Sequence, residues 1–240
     1  MRWHFVYGLF NWFWFWIWRE QPLRESLSLL YRELADYCEA KYSLLTQHTD
    51  PEKALPPLLV RQQKAVDLIT QCYQQMHMLS AQNNTDYKRM LRIFQEALDL
   101  QEHISVSLHQ PEEVQKLVER SHAEEVIRWN AQTVAARLRV LADDILYHRL
   151  PTRFTMEKQI GALEKIARQH PDNPVGQFCY WHFSRIARVL RTQKPLYARD
   201  LLADKQRRMP LLPALKSYLS LKSPALRNAG RLSVMLSVAS

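Results

Sequence analysis

Residues 127–145 read IRWNAQTVAARLRVLADDI, and within them Ile127, Ala131, Val134, Leu138, Leu141 and Ile145 recur in steps of four and three. Steps averaging about 3.5 residues place all six on one stripe of a helix, the pattern of helices that supercoil in bundles. A half-buried strand would need alternation at every second residue, which this stretch lacks. The rest of the chain agrees: four glycines in 240 residues, with Leu, Ala, Gln, Glu and Arg abundant. Turn-rich sheet folds draw on glycine, whereas these other residues favour helix. The expected fold class is all-α, an antiparallel helical bundle of about six helices over residues 20–194.

Helical periodicity extends in both directions from this stripe. The segment 111–148 reads as one helix that opens on Glu112 and Glu113, where acidic residues suit the N-terminal dipole. Its apolar face weakens over 119–125, where a kink would fall. Residues 86–108 carry Tyr87, Leu91, Phe94, Leu98 and Leu108 on one side, with Met90, Ala97 and Ile104 beside them. Residues 58–81 carry Leu58, Ala65, Ile69, Cys72, Met76 and Leu79. Residues 22–45 carry Leu23, Leu27, Leu30, Leu34, Tyr37 and Leu44, interrupted by Lys41. The stretch 46–57, with Pro51, Pro56 and Pro57, reads as a linker. Downstream, 155–169 and 175–192 are two further helices, separated by the HPDNP break at 170–174.

The chain begins differently. Residues 3–18, WHFVYGLFNWFWFWIW, hold no Asp, Glu, Lys or Arg and are dominated by Trp and Phe; Arg19 and Glu20 close the run. A membrane-crossing helix needs about 20 apolar residues. This run therefore reads as the end of a spanning helix or as an interfacial anchor, with a buried core helix as the competing reading. Trp12, Phe13, Trp14, Phe15, Trp16 and Trp18 would be the membrane anchor, since amphipathic rings suit the headgroup level. A signal peptide does not fit, because no small-residue cleavage site follows.

Charge is uneven. The net charge is +9, yet 185–231 holds twelve Lys/Arg against only Asp200 and Asp204, a local +10, so the remainder is near neutral. One reading is a nucleic-acid-binding surface. The other is a juxtamembrane flank obeying the positive-inside rule, formed by Arg199, Lys205, Arg207, Arg208, Lys216, Lys222, Arg227 and Arg231. Residues 195–224, broken by Pro195, Pro210, Pro213 and Pro224, read as a linker or interfacial segment. Residues 225–240 turn apolar and end LSVMLSVAS, like the opening of a second membrane segment. The expected organisation is 1–19 anchor, 20–194 helical domain, 195–224 basic linker and 225–240 second membrane segment.

Signals for chemistry are weak. Cys38, Cys72 and Cys179 show no metal-type spacing and read as small core residues. Glu119 and His122 form a single Glu-x-x-His, whereas di-iron bundles use two. Asp99 with His103 and His122 with Glu125 read as solvated helix faces, and His77 between Met76 and Met78 as core filling. Tyr180, Trp181, His182 and Phe183 beside Arg185 and Arg188 could stack bases, but read better as an aromatic face packed on the bundle. Phosphate-binding glycine loops, H-E-x-x-H and G-x-S-x-G are missing from the sequence. No cofactor, no metal and no enzymatic activity are expected.

YGLFNWFWFW at 7–16, REQPLRESL at 19–27 and LKSPALRNAGRLS at 221–233 resemble the YccS/YhfK family of inner-membrane proteins. That family lies within the wider fusaric-acid-resistance-like (FUSC) group of proposed exporters. The resemblance implies two membrane bundles separated by a cytoplasmic helical domain, with this chain lacking nearly all of both bundles. It implies a bacterial inner-membrane location and a role in regulation or assembly. The implied partners are the lipid bilayer and the remaining membrane bundles, with a homo-oligomer compatible and nucleic acid not expected. No catalytic or substrate residue carries over. The alternative is a soluble module that binds nucleic acid through 185–231.

Overall fold

The computed structural model describes residues 20–46, 51–79, 85–105, 111–147, 149 and 154–192. Among these residues there are seven helices and no strand, as the helical periodicity predicts. They are α1 (Gln21–Thr46), α2 (Pro51–Leu79), α3 (Thr85–Ser105), α4 (Pro111–Arg120), α5 (Glu124–Leu146), α6 (Glu157–Gln169) and α7 (Pro174–Thr192). Residues 1–19 and 193–240, and with them the aromatic anchor and the basic flank, lie outside the described residues. No described helix is long and apolar enough to cross a membrane.

Helix α1 is the hub, packing against α2, α3, α4 and α5, most extensively against α5. The reason lies in its sequence. Its heptad-spaced residues from Leu23 to Leu44 are buried, and so are Tyr31, Ala35, Cys38, Tyr42 and Leu45 on other faces. A helix apolar over most of its circumference belongs inside a bundle rather than on its surface. The six-residue stripe of α5 is buried in full.

Polar ties fix the directions. Arg139 on α5 donates to Asp36 at 2.7 Å and to Glu39 at 3.2 Å, while Arg32 pairs with Asp143. Partners on α5 therefore descend as α1 ascends, so the two helices are antiparallel. On the α2 side, Arg61 donates to Glu33 at 3.4 Å and to Asp36 at 3.3 Å. Tyr31 Oη donates to the Ile93 carbonyl at 3.0 Å and Lys41 Nζ to the Ile104 carbonyl, so α3 runs parallel to α1. Half-exposed ion pairs of this kind add little energy each, but together they specify register.

Three sequence expectations are corrected. First, the proline-rich linker 46–57 is helical from Pro51 onward, with Pro56 and Pro57 inside α2. Proline at a first helical position is favourable, and its fixed φ is compatible with the helix. The two later prolines leave only the carbonyls of residues 52 and 53 without intrahelical donors. Second, α3 is turned slightly from the expected face: Phe94 and Leu98 of that face are buried, as are Leu100 and the flanking Met90, Ala97 and Ile104, whereas Tyr87 and Leu91 are half-buried, so that the innermost row is Met90, Phe94, Ala97 and Ile104. The inward set is itself a four-three heptad once Gln101, also buried, is admitted to it.

Third, the long helix over 111–148 is two helices. The Ala123 N–H bonds the Val118 carbonyl at 3.2 Å and the His122 N–H bonds the Glu119 carbonyl at 3.0 Å. With His122 at φ 49°, this is a Schellman ending that satisfies the last carbonyls of α4. Val118 and Ala123, buried together, supply the apolar contact that accompanies such an ending. Glycine is usual at the left-handed position; histidine there bears a steric cost. His122→Gly should therefore raise unfolding stability by roughly 1 kcal/mol, read as a shift in urea midpoint at unchanged m-value. A loss of stability would mean that the His122 side chain does more than occupy the turn.

Asn173 joins this region to α7. Its Nδ2 donates to the Leu117 carbonyl at 2.7 Å while its Oδ1 accepts from the Val175 N–H at 3.0 Å. One side chain thus caps the start of α7 and satisfies the end of α4.

Candidate functional site: the buried Lys41–His182 seam

Lys41 interrupts the α1 heptad, and the fold keeps it in the seam rather than turning it to water. It is buried, and its Nζ donates to the Ile104 carbonyl in the last turn of α3. Burial lowers its pKa to about 8, opposed by the nearby Cys38 and Cys179. The Lys41 ammonium also lies 5.8 Å from the centre of the Tyr42 ring.

The α7 side of the seam comes from the aromatic run at 180–183. His182 and Phe183 point inward and are buried; Trp181 points outward, with Arg185 stacked 4.2 Å from its ring. The His182 ring stacks on Phe178 at 5.1 Å, and Phe183 meets Tyr42 at 4.6 Å. Burial lowers the His182 pKa to about 3, with Lys41 and His103 adding to the shift and the His103 backbone opposing it. Among the described residues, neither ring nitrogen of His182 makes a well-aligned hydrogen bond, the His103 backbone approaching it only loosely, and Tyr42 Oη makes none.

The chemistry of the seam follows. Burial pushes the Cys38 and Cys179 thiols up to about 12 and Tyr42 well above its ordinary 10. At neutral pH both thiols hold their protons and are poor nucleophiles. His182 is a neutral imidazole, and Lys41 titrates just above neutrality. The seam is a small polar patch, Lys41 and His182, inside an otherwise apolar core.

The residues singled out for metal chemistry are not brought together here. His122 forms the α4 ending, Asp99 lies beside His103 on α3, and His77 is exposed, so that only Met76 of its Met pair fills the core. Among the described residues, no group of three or more His, Cys, Asp or Glu is placed to hold a metal ion. The signal for the seam was nonetheless in the sequence. Lys41 occupies the heptad position between Tyr37 and Leu44, and His182 stands three residues after the buried Cys179.

In the sequence the all-helical bundle follows directly on a charge-free aromatic run. The family model described as FUSC-like inner membrane protein yccS matches residues 4–201, which takes in both the aromatic run and the bundle. The chain belongs to the FUSC-like family of inner membrane proteins. No solved structure matches it.

Proposed function

We propose that residues 20–194 form a cytoplasmic helical domain of an exporter-type inner-membrane protein, serving assembly, gating or regulation rather than catalysis. Residues 1–19 would deliver the chain from the membrane to α1, and 225–240 would re-enter it. The basic stretch 185–231 would then be the positive-inside flank of the second membrane segment. A single observation carries this reading: the family match spans the aromatic run and the bundle as one unit. The partners implied are the bilayer and the other membrane bundles of a larger assembly.

Membrane fractionation tests the proposal. The chain should sediment with membranes and resist extraction by high salt and alkaline carbonate, being released only by detergent. A monodisperse soluble chain without detergent would overturn the membrane reading and return 185–231 to the nucleic-acid alternative.

A further inference from the structure

The end of the bundle at which α1 begins has a distinctive surface. Helix α1 starts at Gln21, three residues after Trp18, so this end lies within roughly 11 Å of the aromatic run along the chain. Three other helix termini share the end. Helix α5 runs antiparallel to α1 and finishes there; α3 runs parallel to α1 and begins there. Helix α2 ends six residues before α3 begins.

Exposed apolar side chains gather at these termini: Met78 at the end of α2 is 70% exposed and Tyr147 after α5 is 60% exposed. The Arg149 guanidinium stacks 5.2 Å from the Tyr147 ring, and Arg89 on α3 donates to the Arg149 carbonyl at 3.1 Å. Lys88 beside Arg89 is exposed. Two acidic residues stand at this end as well, Asp86 two positions before Lys88 and the exposed Glu25 on α1, which accepts from Gln21; the other carboxylates here are engaged by basic groups. Asp143 is paired with Arg32, and Asp144 is a single buried carboxylate within reach of Arg137, Arg149 and Arg89. Glu20 at the head of α1 is paired with Arg24.

We infer that this end, through Lys88, Arg89, Tyr147, Arg149 and Met78, docks on the anionic headgroup layer of the bilayer. The inference rests on the membrane reading of residues 1–19 made above. Aromatic and long apolar side chains interleaved with arginines suit the headgroup level. Basic groups at an anionic surface gain attraction that falls off within a Debye length. The bundle would therefore stand on the bilayer rather than swing freely from its anchor, so α1 and α5 would transmit a fixed orientation to the rest of the domain.

The test places a spin label on the full chain in vesicles of phosphatidylcholine with phosphatidylglycerol, doped with a nickel-chelating lipid. The native thiols are buried, so an introduced cysteine labels selectively. A label at Met78→Cys should show relaxation enhanced several-fold over one at Arg128→Cys, an exposed position 19 residues back along α5 from Tyr147 and so about 28 Å away. Adding Arg89→Gln and Arg149→Gln, or replacing phosphatidylglycerol by phosphatidylcholine alone, should reduce the difference. Equal relaxation at the two positions in a chain that floats with the vesicles overturns the docking and leaves the anchor standing. A chain that does not float with the vesicles overturns both.

Discussion

Replacing His182 by Phe is expected to stabilise the protein and to flatten its response to acid. In the folded chain the imidazole packs against Phe178 and Tyr42, and among the described residues its two nitrogens make no well-aligned hydrogen bond, only a loose approach to the His103 backbone. A buried polar group without a partner costs about 1–3 kcal/mol, and exchanging it for an apolar group of similar shape recovers most of that. Phe keeps the ring and its stacking on Phe178. At pH 7 the expected gain is about 1–2 kcal/mol, allowing for slight overpacking, or roughly 2–4 °C in melting temperature per kcal/mol.

Acid separates the variants further. His182 has a folded pKa of about 3 against an ordinary 6.5. Between those values the unfolded chain binds a proton that the folded chain refuses, so stability falls as pH falls, by up to about 1.4 kcal/mol per unit. Burial raises Asp99 and Asp144, which favours the folded state on acidification and works the other way. Both carboxylates are common to wild type and variant, so the difference between their two curves from pH 6.5 to 5 isolates the His182 contribution. Over that window wild type should lose about 2 kcal/mol that His182→Phe retains. Parallel stability curves for the two proteins would show that the His182 ring is solvated and that the seam is not dry.

The alkaline side follows from the same seam. Lys41, lowered to about 8, binds fewer protons when folded, so its contribution to stability rises as pH rises from 8 toward 10.5. The Cys38, Cys72 and Cys179 thiols, raised to about 12, hold protons that the unfolded chain releases, so their contribution falls above pH 9. The thiols of the unfolded chain begin to ionise within the same range, so the two contributions largely offset each other between pH 8 and 9, and above 9 the thiols, joined by the buried Tyr37 and Tyr42, outweigh Lys41. Lys41 and His182 thus give a core built from heptad positions a pH response that its buried thiols and carboxylates oppose.

Much of this architecture is legible in the residues. The α5 stripe from Ile127 to Ile145 and the α1 heptad from Leu23 to Leu44 are buried as their spacing predicts, because a stripe repeating every 3.5 residues can hide only against another helix. What misled were residues acting outside their usual roles. His122 ends a helix where glycine would have marked the stop. Pro56 and Pro57 sit inside a helix, in its second turn, where they leave two carbonyls without intrahelical donors. Gln101 holds a buried heptad position and so hid the true face of α3. The seam was concealed in the same way: Lys41 looked like a break in a stripe and His182 like one more aromatic. Which helices meet across the bundle is a tertiary matter that no local pattern states, and it is what brings these two residues together.

Leu138→Ala carries the largest expected loss. Leu138 is fully buried near the middle of the α5 stripe, on the helix that packs most extensively against α1. Truncating a core leucine removes its transfer free energy and leaves a cavity, for a cost of about 2–5 kcal/mol that is larger where the site cannot collapse. Collapse is restrained here, because the Arg139 pairs with Asp36 and Glu39 and the Arg32 pair with Asp143 hold α1 and α5 in register beside Leu138 and toward the C-terminal end of α5. The upper half of that range, about 3–5 kcal/mol, is therefore expected. Val140→Ala, two residues away but exposed, should fall within about 0.5 kcal/mol of wild type. Thermal melts of the whole chain in mild detergent, followed by helical circular dichroism, make the comparison. Hydrogen exchange should show α1 and α5 losing protection together in Leu138→Ala, since each is the other's main cover. If Leu138→Ala melts with Val140→Ala, the α1–α5 contact is not the principal seam, and α1 would not couple the aromatic run to the rest of the bundle.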